Sequence, residues 1–261
     1  MVRLSLIFVG LGAALTSATN YNHLKQSCIN EACTAKRIAI HNPPVNLFNA
    51  DLVPEFHAFL ASLQSQTLTK VVVLSSANPD FFGDHLDLNL LSPEPPAGIN
   101  ATEISALDMR FAGPNAVFGA PEADRSLLHV GGLQQLVRLI GPSLAMEYLL
   151  SSAEVRAKEA ERVGWVNKAF DSAEALSSYV DTLASRIAKF HVEVIRAHKE
   201  AVAESAPGQQ ALNADMRRFG YLASQSYFTK NLHKILTAST NQSRLFEMDV
   251  NNNIVKLLYG M

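Results

Sequence analysis

The chain has 261 residues, 48% of them hydrophobic and 18% charged, which is typical of one globular domain with a sizeable core. Its formal net charge of −2 gives no electrostatic reason to bind the phosphate backbone of a nucleic acid or an anionic membrane surface. We therefore expect no nucleic acid partner.

The first 20 residues have the three parts of a secretory signal peptide. Arg3 supplies a positive start, Leu4 to Leu15 form an apolar run, and Thr16-Ser17-Ala18 offers small residues for cleavage. The run is shorter than the roughly 20 residues that a membrane-spanning helix needs. We predict a cleaved signal peptide over residues 1–20, no membrane contact after cleavage, and a secretory or extracellular location. A membrane anchor and an apolar N-terminal strand, with an intracellular location, are the alternatives.

Residues 21–35 form a lead-in segment that contains both cysteines of the chain, Cys28 and Cys33. In an oxidising compartment they could close a small loop; otherwise they are two reduced thiols. No matching His/Cys pair lies nearby, so we expect no zinc site. Asn100-Ala101-Thr102 and Asn241-Gln242-Ser243 are glycosylation acceptor sequences, which matter only if the chain is secreted.

From residue 36 the sequence alternates between strand and helix signals. Lys36 to His41 reads as a strand that ends at Asn42-Pro43-Pro44, because proline cannot donate to a strand ladder. Asn49 is a good N-cap for a following helix. The helix has apolar residues at helical spacing: Leu52, Val53, Phe56, Phe59, Leu60 and Leu63. Lys70 to Leu74 is a β-branched run typical of a strand buried on both faces in a parallel arrangement.

The C-terminal part of the chain is mainly helical in pattern. Four segments can form amphipathic helices: Ala173 to Phe190, Val192 to Glu204, Gln209 to Leu236 and Arg244 to Leu258. We therefore predict a core over residues 36–190 and a C-terminal helical region over residues 191–261.

Several short motifs follow one another in a fixed order, and together they carry a resemblance. They are Asn42-Pro43-Pro44-Val45-Asn46-Leu47-Phe48, the loop from Ser76 to Leu88, Asp108-Met109-Arg110-Phe111-Ala112, Phe118-Gly119-Ala120-Pro121-Glu122, Gly131 to Gly141, and Ala157 to Asn167. In this order they resemble the enoyl-CoA hydratase/isomerase (crotonase) family over most of residues 36–258. The resemblance implies an α/β fold, a crotonase-like spiral of strand-helix-strand units with a helical C-terminal region. It also implies a homotrimer or hexamer.

The resemblance further implies an acyl-CoA thioester as the substrate, with no cofactor other than the CoA that the substrate carries. Members of the family point two backbone N–H groups at the thioester oxygen and so stabilise an enolate. Alignment of Asp87-Leu88 with the family's Asp-Leu places the first donor on the N–H of Leu86. His85 replaces the usual glycine, and Asp84 adds a carboxylate. Asp84, His85 and Asp87 otherwise form a polar surface loop, with too few suitably spaced ligands for a metal.

The second donor in the family comes from a glycine-rich turn that opens a helix. No such turn occurs between Leu88 and Asp108, where the chain instead has the proline-rich stretch Ser92 to Gly98. Compared with the family pattern, on the order of thirty residues are missing, enough for a strand, a turn and part of a helix. We expect half of the oxyanion hole to be missing with them.

Hydratases of the family use two glutamates as general acid and base. Glu122 stands where the second glutamate stands, or else is a capping or surface carboxylate. Glu103 is the only candidate for the first, one residue too close to Asp108, and otherwise is a solvated residue. His129 and Val130 replace the usual Pro-Gly. Two glutamates imply hydration, whereas one implies double-bond isomerisation or no reaction.

Three hypotheses follow. The chain is an enoyl-CoA hydratase/isomerase-like enzyme, with Leu86, Glu122 and Glu103 in the roles above. Alternatively it is a catalytically impaired crotonase-fold protein that binds acyl-CoA or joins an oligomer. Thirdly, it is a secreted, non-enzymatic glycoprotein, since CoA thioesters are cytosolic and organellar.

Overall fold

The computed structural model describes residues 4–8, 21–65, 68–83, 85–91, 107–239 and 243–260. The strands are β1 (Leu4–Phe8), β2 (Leu24–Cys28), β3 (Ala35–Ile40), β4 (Val71–Ser76), β5 (Met109–Ala112), β6 (Val117–Phe118), β7 (Val155–Arg156) and β8 (Lys168–Ala169). The helices are α1 (Leu52–Ser65), α2 (Gly132–Ile140), α3 (Pro142–Ser151), α4 (Ala157–Arg162), α5 (Ala173–Ile187), α6 (Val192–Ala203), α7 (Gln209–Ala223), α8 (Ser226–Ala238), α9 (Arg244–Glu247) and α10 (Val250–Tyr259). A 3₁₀ turn covers Leu88–Leu91.

A six-stranded sheet in the order β2-β3-β4-β1-β5-β8 is the centre of the fold, and β6 and β7 form a separate antiparallel pair. Strands β3 and β4 are parallel, as are β5 and β8. Strand β1 is antiparallel to both of its neighbours, with Leu6 opposite Leu74 of β4 and Arg110 of β5. The N-terminal segment therefore joins the two parallel pairs into one sheet.

Helices cover both faces of this sheet. Alternate residues of a strand point to opposite faces, and those of β4 pack against different helices. Val72 and Leu74 belong to a cluster that includes apolar residues of α1. Val71 and Val73 belong to a second cluster that includes apolar residues of α5. All four valine and leucine side chains are at most 3% exposed. The prediction of a strand buried on both faces is therefore confirmed, and so is the α/β fold class.

The predicted start of α1 is also confirmed. The side-chain oxygen of Asn49 accepts hydrogen bonds from the N–H groups of Asp51 and Leu52, at 3.2 and 3.0 Å. An asparagine in this position satisfies N–H groups that the first turn of a helix leaves without partners.

Two long helices predicted in the C-terminal region are each interrupted. The predicted helix from Gln209 to Leu236 is two helices, because Gln225 has extended backbone (ψ 144°) and its carbonyl accepts a hydrogen bond from Phe228. The predicted helix from Arg244 to Leu258 breaks at Asp249, which leaves the helical region (φ −137°, ψ 39°). The side-chain carboxylate of Asp249 instead accepts a hydrogen bond from the side-chain amide of Asn252, at 2.7 Å. Such local bonds by polar side chains compete with helix continuation.

Cys28 and Cys33 form a disulfide with 4.9 Å between their Cα atoms. The predicted cleavage site and the asparagines of both glycosylation sequences, Asn100 and Asn241, lie outside the described residues. Cleavage and glycosylation therefore stay predictions. Cleavage of residues 1–20 would remove β1 from the middle of the sheet. The predicted signal peptide and the observed strand β1 therefore cannot both hold for the folded chain. Within the described ranges, no helix combines the length and apolarity of a membrane span.

Candidate active site

Leu86, the predicted oxyanion donor, lies in a short parallel bridge with Phe48. The N–H of Phe48 donates to the carbonyl of His85, and the N–H of Asp87 donates to the carbonyl of Phe48, both at 3.0 Å. Both bonds lie on one side of the loop. Because successive peptide groups of an extended chain point to opposite sides, the N–H of Leu86 points away from Phe48. No acceptor for it occurs among the residues that the structure describes.

The loop that carries Leu86 is held by Asn46, which is completely buried. Its side-chain amide lies 2.9 Å from the hydroxyl of Ser76 and 3.2 Å from the carbonyls of both Phe81 and Phe82. Its side-chain oxygen accepts from the N–H of Asn42 at 2.8 Å. Asn46 therefore ties the ends of β3 and β4 to the loop between β4 and Leu86. Its φ of 57° is in the left-handed region, where asparagine is tolerated better than most residues.

Gly83 allows the loop to lie against the ring of Phe48. A Cβ at this position would lie 2.4 Å from Cε2 of Phe48, well inside van der Waals contact. The Phe48 ring is buried and packs edge-on against Phe56, with 6.4 Å between ring centroids. The Phe48 ring has little room to move aside. Because Phe48 forms the bridge with Leu86, this arrangement requires glycine at position 83.

Glu122, the predicted acid/base, lies in a turn between β6 and α2. Its Oε1 is 2.5 Å from Nδ1 of His129, and the side chains are 28% and 31% exposed. Its Oε2 is buried without a hydrogen-bond partner among the described residues. Burial raises the pKa of Glu122, but the charge and hydrogen bond of His129 together lower it by more than burial raises it. The pKa of Glu122 therefore lies below its ordinary value. A glutamate with a lowered pKa is present mainly as the carboxylate at neutral pH and suits a base better than an acid.

Next to Glu122 a second ion pair is buried. Oδ1 of Asp124 and a guanidinium nitrogen of Arg125 lie 2.6 Å apart, and the two side chains are 4% and 6% exposed. The pair is fixed from α10, because Tyr259 donates to the carbonyl of Asp124 at 2.9 Å and Asn251 lies 3.5 Å from Arg125. Burial raises the pKa of Asp124 to about 6, with Arg125 opposing and Glu122 adding to the rise.

The C-terminal helices contact both the Leu86 loop and the Glu122 turn. Glu247 of α9 is buried, and its Oε2 lies 3.5 Å from Nε2 of His85. Asn251 of α10 lies beside Arg125. Four residues span at most about 14 Å between Cα atoms, so the loop and the turn contact neighbouring parts of one segment. No hydrogen bond or ion pair joins Leu86 directly to Glu122 in the part of the chain that the structure describes.

Other predicted site residues are placed less fully. Glu103 and Asp84 lie outside the described residues, as does the stretch from Ser92 to Gly98, so the loss of the second oxyanion donor and the role of Glu103 as the first glutamate stay predictions. His85 directs its Nδ1 to the carbonyl of Leu86 at 2.8 Å. Within the described ranges, no group of three His, Cys, Asp or Glu side chains is arranged to bind a metal.

Sequence reasoning missed the roles of Asn46, His129 and Glu247. Asn46 belongs to the Asn42–Phe48 motif, but only the folded turn brings its side-chain amide within hydrogen-bonding distance of Ser76, Phe81 and Phe82. His129 stands out in the sequence as a replacement for proline seven residues after Glu122, a spacing that a turn can close. Glu247 carries no sequence signal, because its contact with His85 joins residues far apart in the chain.

Comparison with known proteins gives a consistent result. The family model described as enoyl-CoA hydratase/isomerase matches residues 97–238, which is more than half of the chain. The chain is 30% identical over 176 residues to "Probable enoyl-CoA hydratase, mitochondrial" of Dictyostelium discoideum, over 62% of this chain and 63% of the relative. It is 33% identical over 132 residues to 2,3-dehydroadipyl-CoA hydratase of Escherichia coli, over 50% of this chain and 51% of the relative. The chain therefore spans less than two thirds of the length of these curated relatives.

Solved structures are similar over more of the chain. A candidate enoyl-CoA hydratase from Streptomyces avermitilis superimposes with a TM-score of 0.78 and 27% identity, over 92% of this chain and 98% of that one. The enoyl-CoA hydratase/isomerase of Pseudoalteromonas atlantica has a TM-score of 0.71 with 18% identity, over 85% of this chain and 97% of that one. At that identity the second similarity concerns the fold alone.

Proposed function

This chain belongs to the enoyl-CoA hydratase/isomerase family, and from that membership we propose that it acts on an unsaturated acyl-CoA thioester by stabilising an enolate. The observation that carries the proposal is the direction of the Leu86 N–H, which points away from its bridge with Phe48 and has no acceptor among the described residues. A thioester oxygen placed there would accept this bond, and the bond would strengthen as negative charge develops on the oxygen.

In this mechanism Glu122 moves the proton. Its carboxylate is partly buried, and its Oε2 has no hydrogen-bond partner in the described part of the chain. With one carboxylate that favours the ionised form, proton transfer between two carbons of the acyl chain is better supported than hydration, which needs an acid and a base together. Glu103 would supply the second carboxylate if hydration occurs.

The test is turnover of a 2-enoyl-CoA and of a 3-enoyl-CoA by the purified full chain. We expect the 3-enoyl-CoA to be converted to its conjugated isomer, and Glu122→Gln to lower kcat by about 10² or more, the typical effect of losing an acid/base group. Glu147→Gln on the exposed face of α3 is the matched control and should leave kcat unchanged. Equal kcat values for both variants would remove Glu122 from the mechanism.

A second candidate, a non-catalytic secreted role, is favoured by one observation. The Cys28–Cys33 disulfide is of a kind that forms and persists in oxidising compartments, where CoA thioesters are not expected. Expression of the full chain in a secreting eukaryotic host, followed by N-terminal sequencing of the protein in the medium, tests it. A mature N-terminus after Ala18 would support this role, whereas retention of the chain in the cell with Met1 or Val2 at its start would reject it.

A further inference from the structure

The contact between His129 and Glu122 is fixed from two sides. On one side Nδ1 of His129 lies 2.5 Å from Oε1 of Glu122. On the other side the ring packs against the first turn of α2, where a Cβ on Gly132 would lie 1.8 Å from Nε2 of His129. A side chain at position 132 would therefore displace the ring. The imidazole occupies the space that the lack of a side chain at Gly132 leaves open. In this position it faces the carboxylate of Glu122.

Among the charged groups that the structure describes around this pair, His129 is the cation that pairs with Glu122 and with no other carboxylate. Arg125 also acts on Glu122, but its guanidinium is 2.6 Å from the carboxylate of Asp124, which offsets much of its charge. Asp124 itself repels Glu122. Because an ionised carboxylate only accepts hydrogen bonds, we assign Nδ1 of His129 as the donor to Oε1.

We propose that His129 is the positioning residue of Glu122: its Nδ1–H binds Oε1, keeps the carboxylate ionised and leaves Oε2 for the reactant. This inference rests on the proposed function for its catalytic meaning. A buried oxygen without a hydrogen-bond partner among the described residues, such as Oε2, is costly. A proton on carbon beside the thioester would give it a partner.

The step that follows balances without any co-reactant. Oε2 takes the proton from the carbon next to the thioester carbonyl, and the electron pair of the broken C–H bond becomes the enolate, whose oxygen accepts the Leu86 N–H. Glu122 then returns the same proton to a carbon two positions along the chain, so the double bond moves. His129 keeps its own proton throughout, and its role is to orient and to hold charge.

The shifts in pKa agree with this arrangement. Burial lowers the pKa of His129, but the charge and hydrogen bond of Glu122 raise it, so the pKa lies above its ordinary value of 6.5. The pKa of Glu122 is lowered in turn. Each partner favours the charged form of the other, as expected for close opposite charges.

NMR titration of the histidine ring protons in the full chain tests the pairing without requiring turnover. The signal of His129 is assigned by its loss in His129→Gln. We expect it to titrate above 6.5, and to return towards that ordinary value in Glu122→Gln, while Glu147→Gln leaves it unmoved. A His129 that titrates at or below its ordinary value and ignores Glu122→Gln would overturn the proposal.

The pH dependence of kcat/KM on a 3-enoyl-CoA tests the positioning role. In His129→Gln the acid limb should move to higher pH, with about a tenfold loss at acid pH for each unit of movement, and the loss should shrink as the pH rises. His198→Gln, at an exposed site on α6, is the control. An unchanged profile in His129→Gln would overturn the role. Absence of turnover in the parent chain, with the NMR coupling intact, would reject the proposed function but not the pairing.

Discussion

The two regions that hold the candidate residues satisfy their polar groups in different ways. Around Leu86 the support is mainly uncharged: the buried amides of Asn42 and Asn46 bond backbone groups and the hydroxyl of Ser76, and the buried Glu247 beside His85 is a charged exception. Around Glu122 the support is ionic. There Glu122, Asp124 and Arg125 each keep one buried polar atom without a hydrogen-bond partner among the described residues.

This difference separates a rigid region from a titratable one. A neutral network whose donors meet acceptors costs little to bury and does not change with pH, so it suits a backbone donor that must stay in one place. Buried ion pairs lose part of their interaction energy to desolvation, and their energy depends on protonation. We therefore expect substitutions of Asn42 and Asn46 to act on stability at every pH, and substitutions near Glu122 to act in a pH-dependent way.

The largest effect is expected from Asn46→Asp. This change replaces a donor amide by a carboxylate oxygen that faces the hydroxyl of Ser76 and the carbonyls of Phe81 and Phe82. It buries a charge whose hydrogen-bond partners among the described residues include no cation. It should lower the free energy of unfolding by about 3 to 5 kcal/mol, measured by urea denaturation. Asn213→Asp, at an exposed position of α7, adds the same charge and should have little effect. If both variants unfold at the same urea concentration, the bracing role of Asn46 is wrong.

A smaller effect is expected from Gly83→Ala. The added methyl overlaps the Phe48 ring, so the ring and the Leu86 loop must shift, at a cost of about 1 to 3 kcal/mol. The variant should also weaken binding of an acyl-CoA, because Phe48 sets the direction of the Leu86 N–H.

Gly220→Ala is the matched control for that substitution. Position 220 is exposed within α7, and a Cβ there meets nothing within 4 Å. Alanine should therefore stabilise the helix by about 0.5 to 1 kcal/mol, with acyl-CoA binding unchanged. Loss of stability in both variants, measured by urea denaturation and by titration with an acyl-CoA, would contradict the steric explanation for Gly83.

Local patterns predicted the fold well where neighbours in sequence determine the structure. The cap at Asn49 and the buried strand β4 depend on short-range signals, hydrogen bonding to the next turn and side-chain alternation. The breaks at Gln225 and Asp249 were missed because amphipathic spacing continues across them, while local hydrogen bonds to these two residues interrupt the helices.

Long-range pairing limited the prediction more strongly. Comparison with the family pattern predicts that a segment between Leu88 and Asp108 is missing, and the sequence shows an apolar N-terminus, but neither reveals that β1 lies between β4 and β5 in the sheet. For the site, alignment identified Leu86 and Glu122 as candidates. It did not find His129 as the partner of Glu122, because the family places proline there and only the folded turn closes the seven-residue distance.

The smallest expected effect is a pH dependence of stability that originates in Asp124. Burial raises its pKa from 3.8 to about 6 in the folded chain, so the folded state holds this proton over a pH range in which the unfolded state has lost it. The contribution to stability is therefore complete below about pH 4 and is lost as the pH rises to about 6. Glu122 has the opposite sign: its pKa is lowered, so its contribution is lost as the pH falls below 4.5.

Comparison with Asp124→Asn isolates this contribution, because the amide does not titrate. Because the raised pKa means that burial favours the neutral carboxyl over the carboxylate in the folded chain, the uncharged variant should be at least as stable as the parent at neutral pH. The difference should then narrow as the pH falls from 6 to 4, where only the parent gains stability from its retained proton. Urea denaturation at half-unit pH steps measures both curves. A constant difference between them would mean that Asp124 remains ionised throughout, and that the Glu122 turn is held by a permanent ion pair.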